Sequence, residues 1–321
     1  MVVRVFRQKI ITVMMVPGLL LPALVSGQTS TPERLTNIIN SYPHPSPDGR
    51  RVVFQSNRTG TPQIYLMDSD GGNLVQLTDE PLGAETPKWS PDGLTILFAS
   101  YVGDADNNVF VMNADGSERR QLTDSPGYDG HPSWSPDGTR IIFNSDRTSP
   151  DLSVGWSQRW HEIFSMKVDG TDLRQHTRAR SICTYPAFSP DGKQIVYRRI
   201  TDTSGFAWDL TMGARNSEVF VADLDGTNEI NLSVNAAFDG WPAWSPDGER
   251  IVFASNRAGP ANVGQLYVIS AEGTGLQRIT DGPWSHVQPA WSADGRSIYA
   301  YQNQETRTYE FGDVVVIQLA E

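Results

Sequence analysis

The sequence predicts an all-β fold, a six-bladed β-propeller of four-stranded antiparallel blades, and three observations predict it. The tetrapeptide Ser-Pro-Asp-Gly stands at Ser46–Gly49, Ser90–Gly93, Ser135–Gly138, Ser189–Gly192 and Ser245–Gly248, with a variant at Ser292-Ala293-Asp294-Gly295. Its copies are 44, 45, 54, 56 and 47 residues apart, a period that belongs to stacked repeats; short strands and tight turns select propeller blades over helical pairs. The ends of the chain also complement each other. The sixth unit stops after Val314–Ile317 without the closing Leu-Thr strand of the others, and Arg34-Leu35-Thr36 stands just ahead of the first unit. A strand at about 33–37 is therefore expected to complete the last blade, latching the ring and hiding a sheet edge.

Each unit reads as a proline, one residue, an aromatic, the turn, an apolar strand, a loop, a second apolar strand, an Asp-Gly-type turn and a short strand ending in Leu-Thr. The second copy runs from Pro87-Lys88-Trp89 through Ile96-Leu97-Phe98 and Val109–Met112 to Asp115-Gly116 and Leu122-Thr123. Middle strands such as Val52-Val53-Phe54 and Ile251-Val252-Phe253 are continuous apolar runs, as strands buried between neighbouring blades require. In the turn, proline sets the first corner, Asp bonds the local backbone and Gly takes the positive φ that closes the hairpin. Trp89, Trp134, Phe188, Trp244 and Trp291 are placed to wedge between adjacent sheets. Pro45 takes that slot in the first copy, which predicts a weaker contact there.

Ahead of the repeats, Arg4, Arg7 and Lys9 precede an apolar run from Ile10 to Val25, and Val25-Ser26-Gly27 offers a small-residue cleavage point. Residues 1–27 read as a secretory leader and 28–321 as the propeller. The run holds Pro17, Gly18 and Pro22 and falls short of the about 20 apolar residues of a spanning helix. The formal charge is −11, and −14 without the leader's three basic residues. Such an acidic surface repels phosphate backbones and speaks against a nucleic-acid partner. Cys183, the single cysteine, allows no internal disulfide, so stability rests on the core and on ring closure. A periplasmic or extracellular, monomeric protein is expected, with no membrane span in the mature chain.

Pro-x-Trp-Ser-Pro-Asp-Gly, an apolar strand, Asn57-Arg58 or Asn256-Arg257, then Ile64–Asp68 and Gln76-Leu77-Thr78-Asp79 together resemble the TolB-type β-propeller repeat. The resemblance runs from Glu33 to about Leu319. It implies the fold more sharply than an activity, since the same repeat serves periplasmic scaffolds, peptidases and carbohydrate lyases. TolB itself is similar in carrying an α/β domain before its propeller, whereas only a few residues separate Gln28 from the latch segment here. The chain contains no Gly-x-Ser-x-Gly, which speaks against a propeller peptidase.

Strand direction puts the Asp-Gly turns on one face of the disc and the variable loops on the other, and loops on a rigid scaffold are where binding groups collect. The longest connections, 145–162 and 199–218, carry Trp156, Trp160, His161, Phe206, Trp208 and Met212. They form either an aromatic wall over the channel mouth or a satellite core of their own. Residues just before each motif proline are expected to ring the channel. The ligand-binding candidates are Tyr42, Glu85, His131, Trp156, Trp160, Tyr185, Trp208, Trp241 and Gln288. His44 and His176 fall on repeat positions and read as surface or packing residues.

Two functions follow. The first is a non-enzymatic binding or scaffold module that holds a protein or cell-envelope component on the variable-loop face. The alternative is a carbohydrate-active enzyme of lyase or glycoside hydrolase type at the channel mouth, with Asp129, His131, Asp239 and His286 as candidate catalytic groups. Some lyases that the repeat resembles gather histidines around a divalent ion, and His131 and His286 are the positions such a metal would use. No His-x-x-x-His or paired cysteine supports that site, and no cofactor is predicted.

Overall fold

The computed structural model of the protein describes residues 3–5, 38–103, 106–201, 217–260, 263–303 and 312–319. Six four-stranded antiparallel sheets are arranged around an axis, as the six turns predict. The second blade is typical: Ala84–Trp89 lies innermost, followed outward by Thr95–Tyr101, Asn107–Asn113 and Arg120–Gln121. The other inner strands are Asn40–Pro45, Asp129–Trp134, Cys183–Phe188, Asp239–Trp244 and Ser285–Trp291.

The turn that follows each inner strand is built by two side chains. In all six copies the serine hydroxyl donates to the Asp carboxylate over 2.5–2.7 Å. The same carboxylate accepts the backbone N–H two residues on, and the serine oxygen accepts the N–H that opens the next strand. Gly closes the turn at φ 68–75°. The sixth copy keeps all of this with Ala293 in place of proline, so the Ser–Asp pair holds the turn and proline is dispensable to it.

Burial is organised between blades. Six apolar clusters each join two adjacent sheets, one per junction. Trp89 packs with Val53, Ile64 and Leu66 of the first blade and Ile96 and Phe98 of its own, which is the wedge expected of it. Trp291 fills the same role between blades five and six, and its indole N–H donates to the Ala243 carbonyl at 3.2 Å. Cys183 is buried at the start of the fourth inner strand.

Ring closure uses the contacts of an ordinary junction. Val52, Phe54, Tyr65 and Met67 of the first blade pack on Tyr299, Val314 and Val316 of the sixth. A parallel bridge, Ile39 to Gly312, matches those of Asn107–Tyr128, His161–Ile182 and Ser217–Phe238. The outer strand of the sixth blade is Val3–Val5, paired with Val315–Ile317. It occupies the slot expected for Arg34-Leu35-Thr36, and it lies inside the segment read as a leader; residues 33–37 are outside the described residues. Among the described residues no helix is long and apolar enough to cross a membrane.

The turn carboxylates link stability to pH. Hydrogen bonds from Ser135 and Thr139 hold Asp137 below the usual carboxylate range, and its five equivalents are lowered the same way. A carboxyl lowered by folding stabilises above its unfolded value of about 3.9 and loses that contribution as pH falls through the folded value. Asp137→Asn should therefore lower the urea midpoint at neutral pH, and the deficit should shrink once the wild-type carboxyl is protonated. A deficit constant across that range would show that the charge is irrelevant to the turn.

Candidate functional site

The axial site begins with a proline in the middle of every inner strand. Pro43, Pro87, Pro132, Pro186, Pro242 and Pro289 cannot donate to the sheet ladder, and each inner strand breaks register there in a β-bulge. The residue before each proline takes a positive φ of 48–55°. Those residues are Tyr42, Thr86, His131, Tyr185, Trp241 and Gln288. Left-handed backbone at a bulky residue costs on the order of 1–3 kcal/mol, and it is repeated here around the axis.

These six side chains close the channel. Tyr42 and Tyr185 come from opposite blades, stack with ring centroids 6.4 Å apart and bring their hydroxyls to 3.1 Å. The His131 ring lies 3.9 Å from that of Tyr185, and Trp241 lies 6.0 Å away on its other side. Gln288 accepts the Tyr42 backbone N–H at 3.0 Å. Burial pushes both tyrosine hydroxyls up, reinforced at Tyr42 by the neighbouring Tyr185 and partly opposed at Tyr185 by Arg198 and by its hydrogen bond with Tyr42, so both remain protonated.

Above this floor, toward the Ser-Pro-Asp-Gly turns, is a blind funnel of about 380 Å³. Its walls are motif prolines and the faces of Trp89, Trp134, Phe188, Trp244 and Trp291, and the turn prolines form its mouth. The same inner strands that end in repeated turns enclose a cavity on this face. Among the described residues, Lys88 is the one Lys, Arg, Asp or Glu that lines it. Burial lowers the Lys88 ammonium to about 8. His44, on the neighbouring blade, lines the funnel too and accepts the Trp89 N–H through Nδ1, while burial and Lys88 hold it neutral.

A polar cluster packs against the floor. Glu85 accepts from Asn107 Nδ2 at 3.0 Å and from the Tyr128 hydroxyl at 3.4 Å, and burial raises its carboxyl to about 7. His131 Nδ1–H donates to Asn144 Oδ1 at 2.7 Å; Asn144 Nδ2 faces His161 Nδ1 at 3.5 Å, and His161 Nε2–H faces the Trp156 carbonyl at 3.4 Å. These partners select the ring tautomers, and burial lowers both imidazoles to about 3. The Trp156 ring covers His161 at 4.0 Å and meets the Tyr128 edge at 5.9 Å. Arg198 is fully buried with its guanidinium 4.5 Å from the Phe238 ring centroid.

The residues singled out from sequence separate into two groups. Tyr42, His131, Tyr185, Trp241 and Gln288 meet at the floor, and Glu85 and Trp156 lie in the cluster beside it. Asp129 and Asp239 are instead clamp residues: Arg147 bonds Asp129 through Nη2 at 2.9–3.0 Å, and Arg257 bonds Asp239 at 2.9 Å. Asn40 receives the same bond from Arg58 in the first blade, at the equivalent position. Each clamp arginine also covers two aromatic rings of its own blade. The pairing reflects how a blade fixes the start of its inner strand. His286 is held by Gln302 at 2.8 Å, and Trp160 stacks under Arg180. Trp208 lies outside the described residues.

Among the described residues no group of three or more His, Cys, Asp or Glu could hold a metal ion, so the His131 and His286 pairing finds no ligand set. His176, read as a surface or packing residue, is buried between blades, bonding the Leu224 carbonyl and Ser165. His44, read the same way, faces the funnel. Lys88 was the residue that sequence reasoning passed over. Its signal is the variable middle residue of the Pro-x-aromatic triplet, filled by His44, Lys88, Ser133, Ala187, Ala243 and Ala290.

A ring of six radial sheets, sealed on its axis by bulged side chains, defines a closed six-bladed β-propeller. The family model described as the TolB beta propeller domain matches residues 76–153 and 200–316, and the chain belongs to that family. Protein TolB homolog of Chlorobium luteolum is 28% identical over 277 residues, 76% of this chain and 60% of that protein. The uncharacterized peptidase YuxL of Bacillus subtilis is 28% identical over 163 residues, 50% of this chain and 22% of that protein. The chain thus spans less than two thirds of the length of these curated relatives. The structure of a putative TolB from Agrobacterium tumefaciens shares the fold, with a TM-score of 0.63 at 21% identity over 83% of this chain and 90% of that one.

Glu85 supplies a direct check on the cluster. A carboxyl raised by folding stabilises fully below its unfolded value of about 4.3 and loses that contribution as pH rises through about 7. Glu85→Gln should therefore melt higher than wild type at pH values above the folded pKa and close to it near pH 4. Equal melting of the two proteins at alkaline pH would show that Glu85 is not desolvated.

Proposed function

We propose that this protein is an exported binding module whose ligand seat is the axial funnel on the turn face. The blind, apolar funnel is the observation that carries the reading. A pocket with hydrophobic walls and few polar groups is the ordinary form of a ligand site, and strained backbone concentrates at such places. The carboxylates first considered for catalysis, Asp129 and Asp239, are engaged by clamp arginines instead. This moves the seat from the variable-loop face to the opposite one. The partner is a protein segment or another cell-envelope component, and the module acts as a monomer.

A second reading, a carbohydrate-active enzyme, has Glu85 in its favour: a carboxyl near neutrality beside Tyr128 has the character of a general acid or base. One set of measurements separates the two. N-acetylated tripeptides and neutral and acidic oligosaccharides are screened by thermal shift, and product formation is followed by mass spectrometry. A side chain filling the funnel is obtained with Ser133→Trp, at a position where the equivalent residues are His44 and Lys88. Any probe that raises the wild-type midpoint should lose its effect in that variant. Turnover of an oligosaccharide that Glu85→Gln abolishes would replace the binding reading with the enzymatic one.

Export has its own measurement. Intact mass of the protein recovered outside the cytoplasm should correspond to a chain beginning at Gln28, which would vacate the strand slot of Val3–Val5 for residues 33–37. A mass that retains residues 1–27 would mean that the segment stays as part of the last blade.

A further inference from the structure

We propose that the funnel takes a ligand by a single carboxylate, which pairs with the Lys88 ammonium and accepts the Thr86 hydroxyl, while the ligand's apolar body lies against the proline and tryptophan walls. This inference rests on the funnel being the ligand seat and names the chemistry it selects.

Two polar groups on one strand carry it. Lys88 makes no ion pair or side-chain hydrogen bond among the described residues, and it lines the cavity half-buried. The Thr86 hydroxyl has no hydrogen-bond partner there either, although its residue is only 4% exposed and lines the funnel floor. The side chains on the flanking blades leave the cation uncompensated. His44 on one side and His131 on the other are both held neutral, and Tyr42 and Tyr185 stay protonated. An ammonium in apolar surroundings without a counter-charge is costly, and the lowered Lys88 value is the sign of that cost. An anion brought by the ligand offsets it, and a buried donor that is otherwise unsatisfied gains a partner at the same moment.

The mouth restricts how much negative charge can enter. Asp48, Asp92, Asp137, Asp191, Asp247 and Asp294 stand in the turns of this face, each held ionised by its serine. Six carboxylates there repel phosphate dianions and polyanionic sugars more strongly than a monoanion. The same carboxylates favour a cationic group on any part of the ligand left outside. A free apolar acid and a peptide that enters by its C-terminus share this chemistry.

The test uses the full chain and calorimetric titration with four probes: 3-phenylpropionate, its primary amide, N-acetyl-Lys-Pro-Phe with a free C-terminus, and the same peptide as its C-terminal amide. At least one acid should bind wild type, and its amide should bind about tenfold or more weakly, the worth of one charge-assisted contact. Binding of 3-phenylpropionate identifies a free acid as the source, and binding of the peptide acid alone identifies a peptide C-terminus. Lys88→Met should lose the acid's advantage over its amide, whereas Lys88→Arg should retain most of it. Thr86→Val should weaken the acid without erasing its advantage. The melting curve of each unliganded variant shows that it is folded, and Lys88→Arg guards against a loss caused by misfolding. Amides that bind as well as acids, or acids that bind Lys88→Met as well as wild type, overturn the carboxylate inference. So does the absence of binding by both acids up to millimolar concentration. If an amide binds wild type and is excluded by Ser133→Trp, the funnel stands as the seat and only its charge selectivity falls. If an acid binds Ser133→Trp undiminished, the seat itself is wrong.

Discussion

The proline in the middle of each inner strand is the constraint on which the axial architecture depends. Removing one N–H from the ladder forces a bulge, and the bulge turns the preceding side chain inward at a positive φ. Without it, alternation along the strand would carry these side chains to the blade interfaces and leave an open channel. With it, six of them meet on the axis. The strain is sustained because the strands on which it falls are locked from outside by inter-blade clusters and at their turn ends by the Ser–Asp pairs.

The repeat also explains why acidic residues near the axis are poor guides to chemistry. Asn40, Asp129 and Asp239 occupy one structural position and receive the same arginine bond. An amide does there what a carboxylate does, so charge is not the property required. Lys88 stands at a position where the other units carry His, Ser or Ala, and nothing in the described structure answers it. Within a repeat protein, a residue that departs from its equivalents carries more information about function than one that matches them.

Much of the fold was legible because it is written six times. The Ser-Pro-Asp-Gly turns gave the blade count, the aromatics gave the wedges, and the residue before each motif proline gave the members of the ring, Tyr42 to Gln288. What the chain could not reveal was on which side of that ring space would remain. That depends on the reach of Tyr42 and Tyr185 across the axis, a distance between blades more than 140 residues apart in sequence. The clamp role of Asp129 was hidden for a related reason: its partner Arg147 lies one strand away, and only the sheet register brings the two together. The Leu-Thr pattern puts the outer strand of the last blade at 33–37, which lies outside the described residues, and Val3–Val5 pairs in that slot in the structure. Short outer strands contribute few side-chain contacts, so sequence pattern specifies them weakly.

The contact between the Tyr42 and Tyr185 hydroxyls has a consequence for the disc as a whole. A six-bladed ring is often pictured as a tube, but here two phenols from opposite blades meet across its bore. That contact ties the first and fourth blades together across the diameter of the ring, a cross-brace between strands 143 residues apart in sequence.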